Sequence, residues 1–172
     1  TGWDSGRHDY AHSAALALLA HPGAEVRGVS KARLPEALET AKGFTRILMV
    51  GVSLGGDPQR LARSVRALVK LGVALRWISA LSPSTSIDDA TRKALSPFVL
   101  EASLQEAVCA CLGVKDALDA AVKANAPLLD AAGYAHRNLD NDAFFGAAVR
   151  HVAKGEGPDA WSADERALAR SH

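Results

Sequence analysis

A strand–helix–strand pattern over residues 46–78 constrains the fold of this chain more than any other feature. Arg46–Val52 and Val73–Ile78 are short apolar runs bounded by turn residues, which is typical of buried strands. Between them, apolar residues recur at helical spacing: Leu61, Val65, Leu68, Val69 and Leu71. A strand, a helix and a second strand of this length predict a βαβ unit, whose strands are parallel and whose crossover is right-handed.

The two ends of this central helix are also readable from the sequence. Asp57 is a suitable N-cap residue, and Pro58 stands at the first helical position, where no backbone N–H is needed. Gly72 stands where a helix commonly ends with a glycine of positive φ. Trp77, in the following strand, is expected to pack against a helix.

Further strands and helices of the same kind flank the central unit. Ala24–Val29 and Pro97–Glu101 are predicted as two more strands, with a further strand expected before Thr1-Gly2-Trp3. The predicted helices are Asp9–Ala20, Leu34–Ala41, a segment capped by Ser86, and Ser103–Leu112. This alternation predicts an α/β fold: a three-layer, Rossmann-like parallel sheet with helices on both faces.

The last third of the chain is predicted to be entirely helical. Lys115–Ala132 is expected to be divided or kinked at Pro127, and residues 133–140 are expected to form a connection. Asp142–Lys154 is a further predicted helix, and Ser162 begins a capping box for the last one. We therefore predict an α/β domain over residues 1–113 and a helical C-terminal extension over 114–172.

Composition restricts the class of protein more than its chemistry. The chain has 172 residues, 48% of them hydrophobic, and a net charge of +1, which gives no case for a polyanion partner on bulk charge. No apolar run reaches the ~18 residues of a membrane span. Cys109 and Cys111 are two apart in a predicted helix and are not expected to form a disulfide. A cytoplasmic location is the default interpretation.

Two loops hold most of the candidate polar groups. His8 and His12 are four residues apart, a spacing that zinc ligands use, but no third ligand accompanies them, and solvated histidines beside an N-cap Asp9 are favoured. Residues 53–57 offer a glycine-rich helix start that could hold a phosphate. They lack the P-loop and dinucleotide patterns, and a tight strand-to-helix turn needs glycine anyway. The arginines of the central helix are interpreted as a solvated face.

The segment Arg7-His-Asp-Tyr-Ala-His-Ser-Ala-Ala-Leu resembles the opening motif of DHH-family phosphoesterases of the RecJ type, Asp-x-Asp-Gly-x-x-Ser-Ala-Ala-Leu. Asp9 corresponds to the second aspartate of that motif, and residues 13–16 correspond to the start of its helix. A later helix opening, Ser103-Leu-Gln-Glu, is similar to one that the family carries. The resemblance covers about residues 4–113 and implies a parallel α/β domain that binds two divalent metals, usually manganese.

The departures from this family remove most of the metal ligands. Arg7 replaces the first aspartate and Tyr10 the glycine, while Gly51 or Ser53 stands at the next metal-binding aspartate. The name-giving Asp-His-His falls at Ser79-Ala-Leu. A two-metal hydrolase needs several carboxylates, and one cannot hold both ions. The resemblance therefore implies a domain without catalytic residues, metals or other cofactors.

We therefore expect a non-catalytic regulatory or ligand-sensing domain of a longer bacterial protein, such as the N-terminal part of a transcription regulator. Its ligand, a small phosphorylated or carboxylate molecule, is expected at the carboxyl ends of the strands. The candidate binding residues are Arg7, His8, Asp9, His12, Ser53, Gly55, Gly56, Ser79 and Ser82. A manganese-dependent phosphoesterase or nuclease and a protein-interaction module stay open as alternatives. The expected partners include a downstream domain of the same chain, and a homo-oligomer is left open.

Overall fold

The computed structural model describes residues 9–52, 57–79, 87–95, 97–99, 104–113, 117–139 and 141–171. The fold is mixed α/β, mostly helical, with a parallel sheet. The contacts divide the chain into two units. We call Val29–Ala102 the sheet unit, and Thr1–Gly28 together with Ser103–His172 the helical unit.

The helices and strands follow one another along the chain with short connections. In order they are α1 Asp9–Ala20, α2 Leu34–Thr40, β1 Arg46–Val50, α3 Pro58–Lys70, β2 Ala74–Ser79, α4 Asp89–Ala94, β3 Pro97–Val99, α5 Leu104–Leu112, α6 Ala117–Ala124, α7 Ala126–Leu139, α8 Asp142–Ala153, a short 3₁₀ helix Pro158–Ala160, and α9 Ala163–Arg170.

The predicted βαβ unit is confirmed. The three described strands lie in the order β1-β2-β3, and both neighbouring pairs are parallel. The Asp57 side chain accepts a hydrogen bond from the backbone N–H of Arg60 at 3.0 Å, with Pro58 at the first helical position. Gly72 follows the helix with a φ of 78°, a conformation that side-chain-bearing residues rarely adopt.

The core of the sheet unit lies on one face of its sheet. Met49, Leu75 and Trp77 are 2–5% exposed, and alternation along the strands places them on one side. They pack with buried residues of α2 and α3, among them Leu38 and Leu68. Trp77 is therefore packed as predicted, and its indole Nε1–H donates to the Val52 carbonyl. In this unit the described helices contribute their core residues to this face.

The other face of the strands carries charge where it is described. Arg46 and Arg76 both point to that side by alternation, and both are exposed.

The predicted strand at Ala24–Val29 is wrong. Residues 24–30 form no regular secondary structure, and the unit boundary falls between Gly28 and Val29. Alternation in this short segment offers too few apolar residues to bury one face, since Val26 and Val29 lie three apart. Arg27 instead donates to the nearby Glu25 carboxylate, and Val29 packs at the edge of the sheet unit's core.

The helical unit begins with α1, which packs against α5, α7 and α8. The predicted division near Pro127 is confirmed, since α6 ends at Ala124 and α7 starts at Ala126. The predicted connection over residues 133–140 is wrong, because α7 continues to Leu139 with Gly133 buried inside it. Packing of α7 against its neighbours outweighs the poor helix propensity of glycine. The capping box at Ser162 is present, with Glu165 as its partner.

The grouping of α1 differs from the domain division expected from the sequence. The sequence places residues 1–113 together, whereas the structure groups α1 and α5 with the C-terminal helices. The sheet unit is therefore an insertion between two parts of the helical unit.

Helix α4 is capped by Asp88 rather than by the predicted Ser86, which lies outside the described residues. Its carboxylate accepts hydrogen bonds from the backbone N–H of Thr91 at 2.9 Å and from the Thr91 hydroxyl at 2.7 Å. These bonds lower the pKa of Asp88 below its ordinary value of 3.8. A carboxylate is a better acceptor than a carboxylic acid, so the structure favours the ionised form.

This cap makes stability sensitive to acid. Because the folded pKa of Asp88 is lowered, its contribution is present at neutral pH and is lost as pH falls through that pKa. Asparagine also caps helices but has no charge to lose. We therefore expect D88N to shallow the fall in unfolding free energy between about pH 5 and 3, measured by urea denaturation. Parallel pH curves for the two proteins would contradict the assignment.

Candidate anion-binding groove

A groove between α2 and α3 is the best-formed site in the described part of the sheet unit. Its volume is about 280 Å³, close to the lower limit of pockets that hold small molecules. We call it the α2–α3 groove; it is lined by Leu38, Glu39, Lys42, Arg60, Arg63, Ser64, Ala67 and Leu68.

The helical repeat of α3 builds one wall of this groove. Arg60, Arg63, Ser64 and Ala67 are three or four residues apart in succession, so their side chains lie on neighbouring parts of one helix surface. The positions between them, such as Leu61 and Val65, are 0–1% exposed and face the core. Core packing thus fixes the rotation of α3 and directs the arginines toward α2.

An ion pair between Glu39 and Arg60 joins the two walls. Arg60 Nε donates to Glu39 Oε1 at 2.9 Å, and Arg60 Nη2 donates to Oε2 at 2.7 Å. The Ser64 hydroxyl donates a longer bond to Oε1, at 3.3 Å, as well as one to the Arg60 carbonyl. Such a two-bond pairing fixes the plane of the guanidinium relative to the carboxylate.

Each partner in this pair shifts the ionisation of the other. The hydrogen bonds from Arg60 are the main cause that lowers the pKa of Glu39 below its ordinary value of 4.5, and the Arg63 charge adds to the effect. The same hydrogen bonds raise the pKa of Arg60. At neutral pH the groove therefore contains one fixed carboxylate and one fixed guanidinium.

Two further cations line the groove and have no ion pair with a described residue. Lys42 and Arg63 are exposed, and no carboxylate in the described ranges lies within salt-bridge distance of either. With Arg60 they give the lining three positive charges against the one negative charge of Glu39. The groove is therefore electropositive at neutral pH.

The surrounding unit has the same sign of charge. Val29–Ala102 contains 11 Lys or Arg and 6 Asp or Glu, a net charge of +5, whereas the rest of the chain has 9 against 13, a net charge of −4. The total of +1 conceals this separation. A small electropositive groove with guanidinium and hydroxyl donors suits a carboxylate or phosphate group.

The ligand site expected from the sequence lies mostly outside the described residues. This is true of Arg7, His8, Ser53, Gly55, Gly56 and Ser82. Asp9 is the first residue of α1 and Ser79 the last of β2, and only their backbone positions are described.

His12 is the one expected site residue whose side chain is described. Its Nε2 lies 3.0 Å from Asp130 Oδ1, so it joins α1 to α7. The ring is 14% exposed, which makes the expectation of a solvated side chain wrong for His12. An imidazole held between two packed helices in this way stabilises the helical unit.

Two other histidines in the helical unit have the same kind of partner, which sequence reasoning did not identify. His136 Nδ1 lies 2.6 Å from Asp142 Oδ1, and His151 Nδ1 lies 3.1 Å from Glu156 Oε2. In the described ranges, no three His, Cys, Asp or Glu side chains come together as a metal site would require. These pairs therefore act there as ties between helices and turns.

The groove residues were also missed from the sequence, although one signal was available. Arg60 and Arg63 were interpreted as a solvated face of the central helix. Glu39 stands 21 positions before Arg60, in a helix whose packing against α3 the sequence did not predict. The spacing of Arg60, Arg63 and Ser64 on one side of α3 was the usable indication.

Comparison with known proteins identifies no relative: no protein-family model, curated protein or solved structure matches this chain. Among the described helices, none is long and apolar enough to cross a membrane.

Proposed function

We propose that this chain is a non-catalytic, ligand-sensing domain that binds a small phosphate- or carboxylate-bearing molecule in the α2–α3 groove. We further propose that it serves as a regulatory part of a longer bacterial protein, such as the N-terminal part of a transcription regulator. The likeness to DHH-type phosphoesterases and a three-layer, Rossmann-like arrangement belong to this proposal. A cytoplasmic location belongs to it too.

The α2–α3 groove is the observation that supports this proposal best. Three cations line a volume of about 280 Å³, and one of them, Arg60, already holds a carboxylate through two hydrogen bonds. Lys42 and Arg63 offer their charges beside it without an ion pair to a described residue. Binding a carboxylate or phosphate there would use charge-assisted hydrogen bonds, the stronger kind in proteins.

Calorimetric titration with pyrophosphate and citrate at low ionic strength tests this proposal, because salt screens exposed charges. We expect the wild-type protein to bind at least one of the two probes. The double variant K42A/R63A should bind it at least about tenfold more weakly, since two charge-assisted contacts are removed. The measured quantity is the dissociation constant at neutral pH.

R76A is the matched control for loss of positive charge. Arg76 is exposed on the strand face opposite the core of the sheet unit and does not line the groove. We expect R76A to change the dissociation constant less than twofold. Equal weakening by R76A and K42A/R63A would reduce the effect to overall charge and contradict a defined site. Manganese-dependent turnover of a phosphodiester would instead favour the phosphoesterase alternative.

A further inference from the structure

Glu39 shows which anion the α2–α3 groove can hold. Its carboxylate receives two hydrogen bonds from Arg60 and a longer one from Ser64, with the Arg63 charge close enough to affect it. Three donors from one helix therefore converge on a single carboxylate contributed by another helix. The arrangement is a carboxylate site with a side chain of the protein already in it.

The exposure of the pair makes this occupant replaceable. Both side chains are 41% exposed, so either can be solvated without opening the core. Ion pairs at such positions contribute little to stability, because water solvates the separated charges well. A second anion cannot join Glu39 at Arg60 without like-charge repulsion, so binding there favours departure of Glu39.

We propose that Glu39 is an internal competitor of the ligand: a ligand carboxylate or phosphate displaces it from Arg60, and this displacement releases the link between α2 and α3. This inference rests on the proposed function, since it assigns the ligand to the same groove. It also supplies the step by which binding becomes a signal. Glu39 is near the end of α2, and its bond to Arg60 is a side-chain tie from that helix to α3.

A double-mutant cycle between Glu39 and Arg60 separates displacement from simple repulsion. E39Q keeps the size of the side chain and removes its charge, so we expect the probe found above to bind roughly fivefold more tightly. When Arg60 is replaced by alanine, displacement is no longer required, and E39Q should then tighten binding less than about twofold. R60A alone should weaken binding.

D89N is the matched control for loss of one negative charge. Asp89 is 97% exposed in α4 of the same unit and does not line the groove, so D89N should leave affinity within about twofold. Weaker binding by E39Q would show that Glu39 positions Arg60 and stays in place, which overturns the inference. Equal tightening with and without Arg60 would overturn it as well. If neither wild type nor E39Q binds either probe, the proposed function fails together with it.

Discussion

Replacement of Asn125 by alanine is expected to destabilise the helical unit by about 2–4 kcal/mol, because it breaks a buried polar network. Asn125 is 1% exposed at the break between α6 and α7. Its Nδ2 donates to the carbonyls of Ala121 at 2.9 Å and Glu156 at 3.1 Å. Its Oδ1 accepts from Trp161 Nε1 at 2.8 Å.

The size of this effect follows from what alanine leaves behind. The indole N–H of Trp161, in a residue that is 9% exposed, loses its acceptor inside the protein. An unpaired buried donor costs more than an average hydrogen bond contributes, since its hydration is not recovered. The segment from Glu156 to Trp161 also loses the side chain that holds it against the start of α7.

Urea denaturation of N125A, followed by tryptophan fluorescence, measures this loss. N138A is the control, because the exposed Asn138 side chain bonds the carbonyl of Tyr134 within its own helix. We expect N138A to change the unfolding free energy by less than about 0.5 kcal/mol. If N125A were as stable as N138A, the network around Trp161 would not have its assigned role.

Truncation of Leu68 to alanine is expected to cost the sheet unit about 2–5 kcal/mol. Leu68 is 1% exposed in α3 and belongs to the core that includes Met49, Leu75 and Trp77. Removing its three terminal carbons loses apolar burial and leaves a cavity that close-packed neighbours fill only in part. The same side chain also lines the floor of the α2–α3 groove.

L71A provides the comparison at nearly the same place in the chain. Leu71 is 60% exposed just after α3, so its truncation should cost less than about 1 kcal/mol. Chemical denaturation of the two variants measures the difference. A cost for L71A equal to that for L68A would contradict the assignment of the buried and exposed faces of α3.

The βαβ unit could be predicted from the sequence because its determinants are local. The period of Leu61, Val65 and Leu68, the cap at Asp57 and the glycine at position 72 all lie within 16 residues of one another, and each acts on the adjacent backbone. Parallel pairing then follows from the length of the crossover. The capping box of α9 was predictable for the same reason.

What could not be predicted depends on contacts between distant segments. The grouping of α1 with α5, α7 and α8 is a matter of tertiary packing, which an almost wholly apolar helix does not specify. Without that grouping, the unit boundaries at residues 28 and 102 cannot be drawn, and the +5 and −4 charges of the two units stay hidden in the total. Gly133 shows the same limit, since packing keeps it inside α7.

The candidate site divides along the same line. The expected site at the strand ends rested on a family motif, and most of its residues lie in parts of the chain that are not described. It stays a prediction. The α2–α3 groove depends on a pairing between Glu39 and Arg60 across 21 positions, which no local pattern reveals. Only the arginine spacing on α3 was visible beforehand.

Chemical-shift mapping with pyrophosphate and citrate tests the central claim most directly. In ¹H–¹⁵N spectra recorded during the titration, we predict that the largest changes fall on the amides of Glu39, Arg60, Arg63 and Ser64, and on the Arg60 side-chain Nε–H. Saturation of these signals with one dissociation constant would place the anion in the α2–α3 groove. Shifts confined to the loops at 51–57 and 79–84, with Arg60 and Arg63 unchanged, would contradict it.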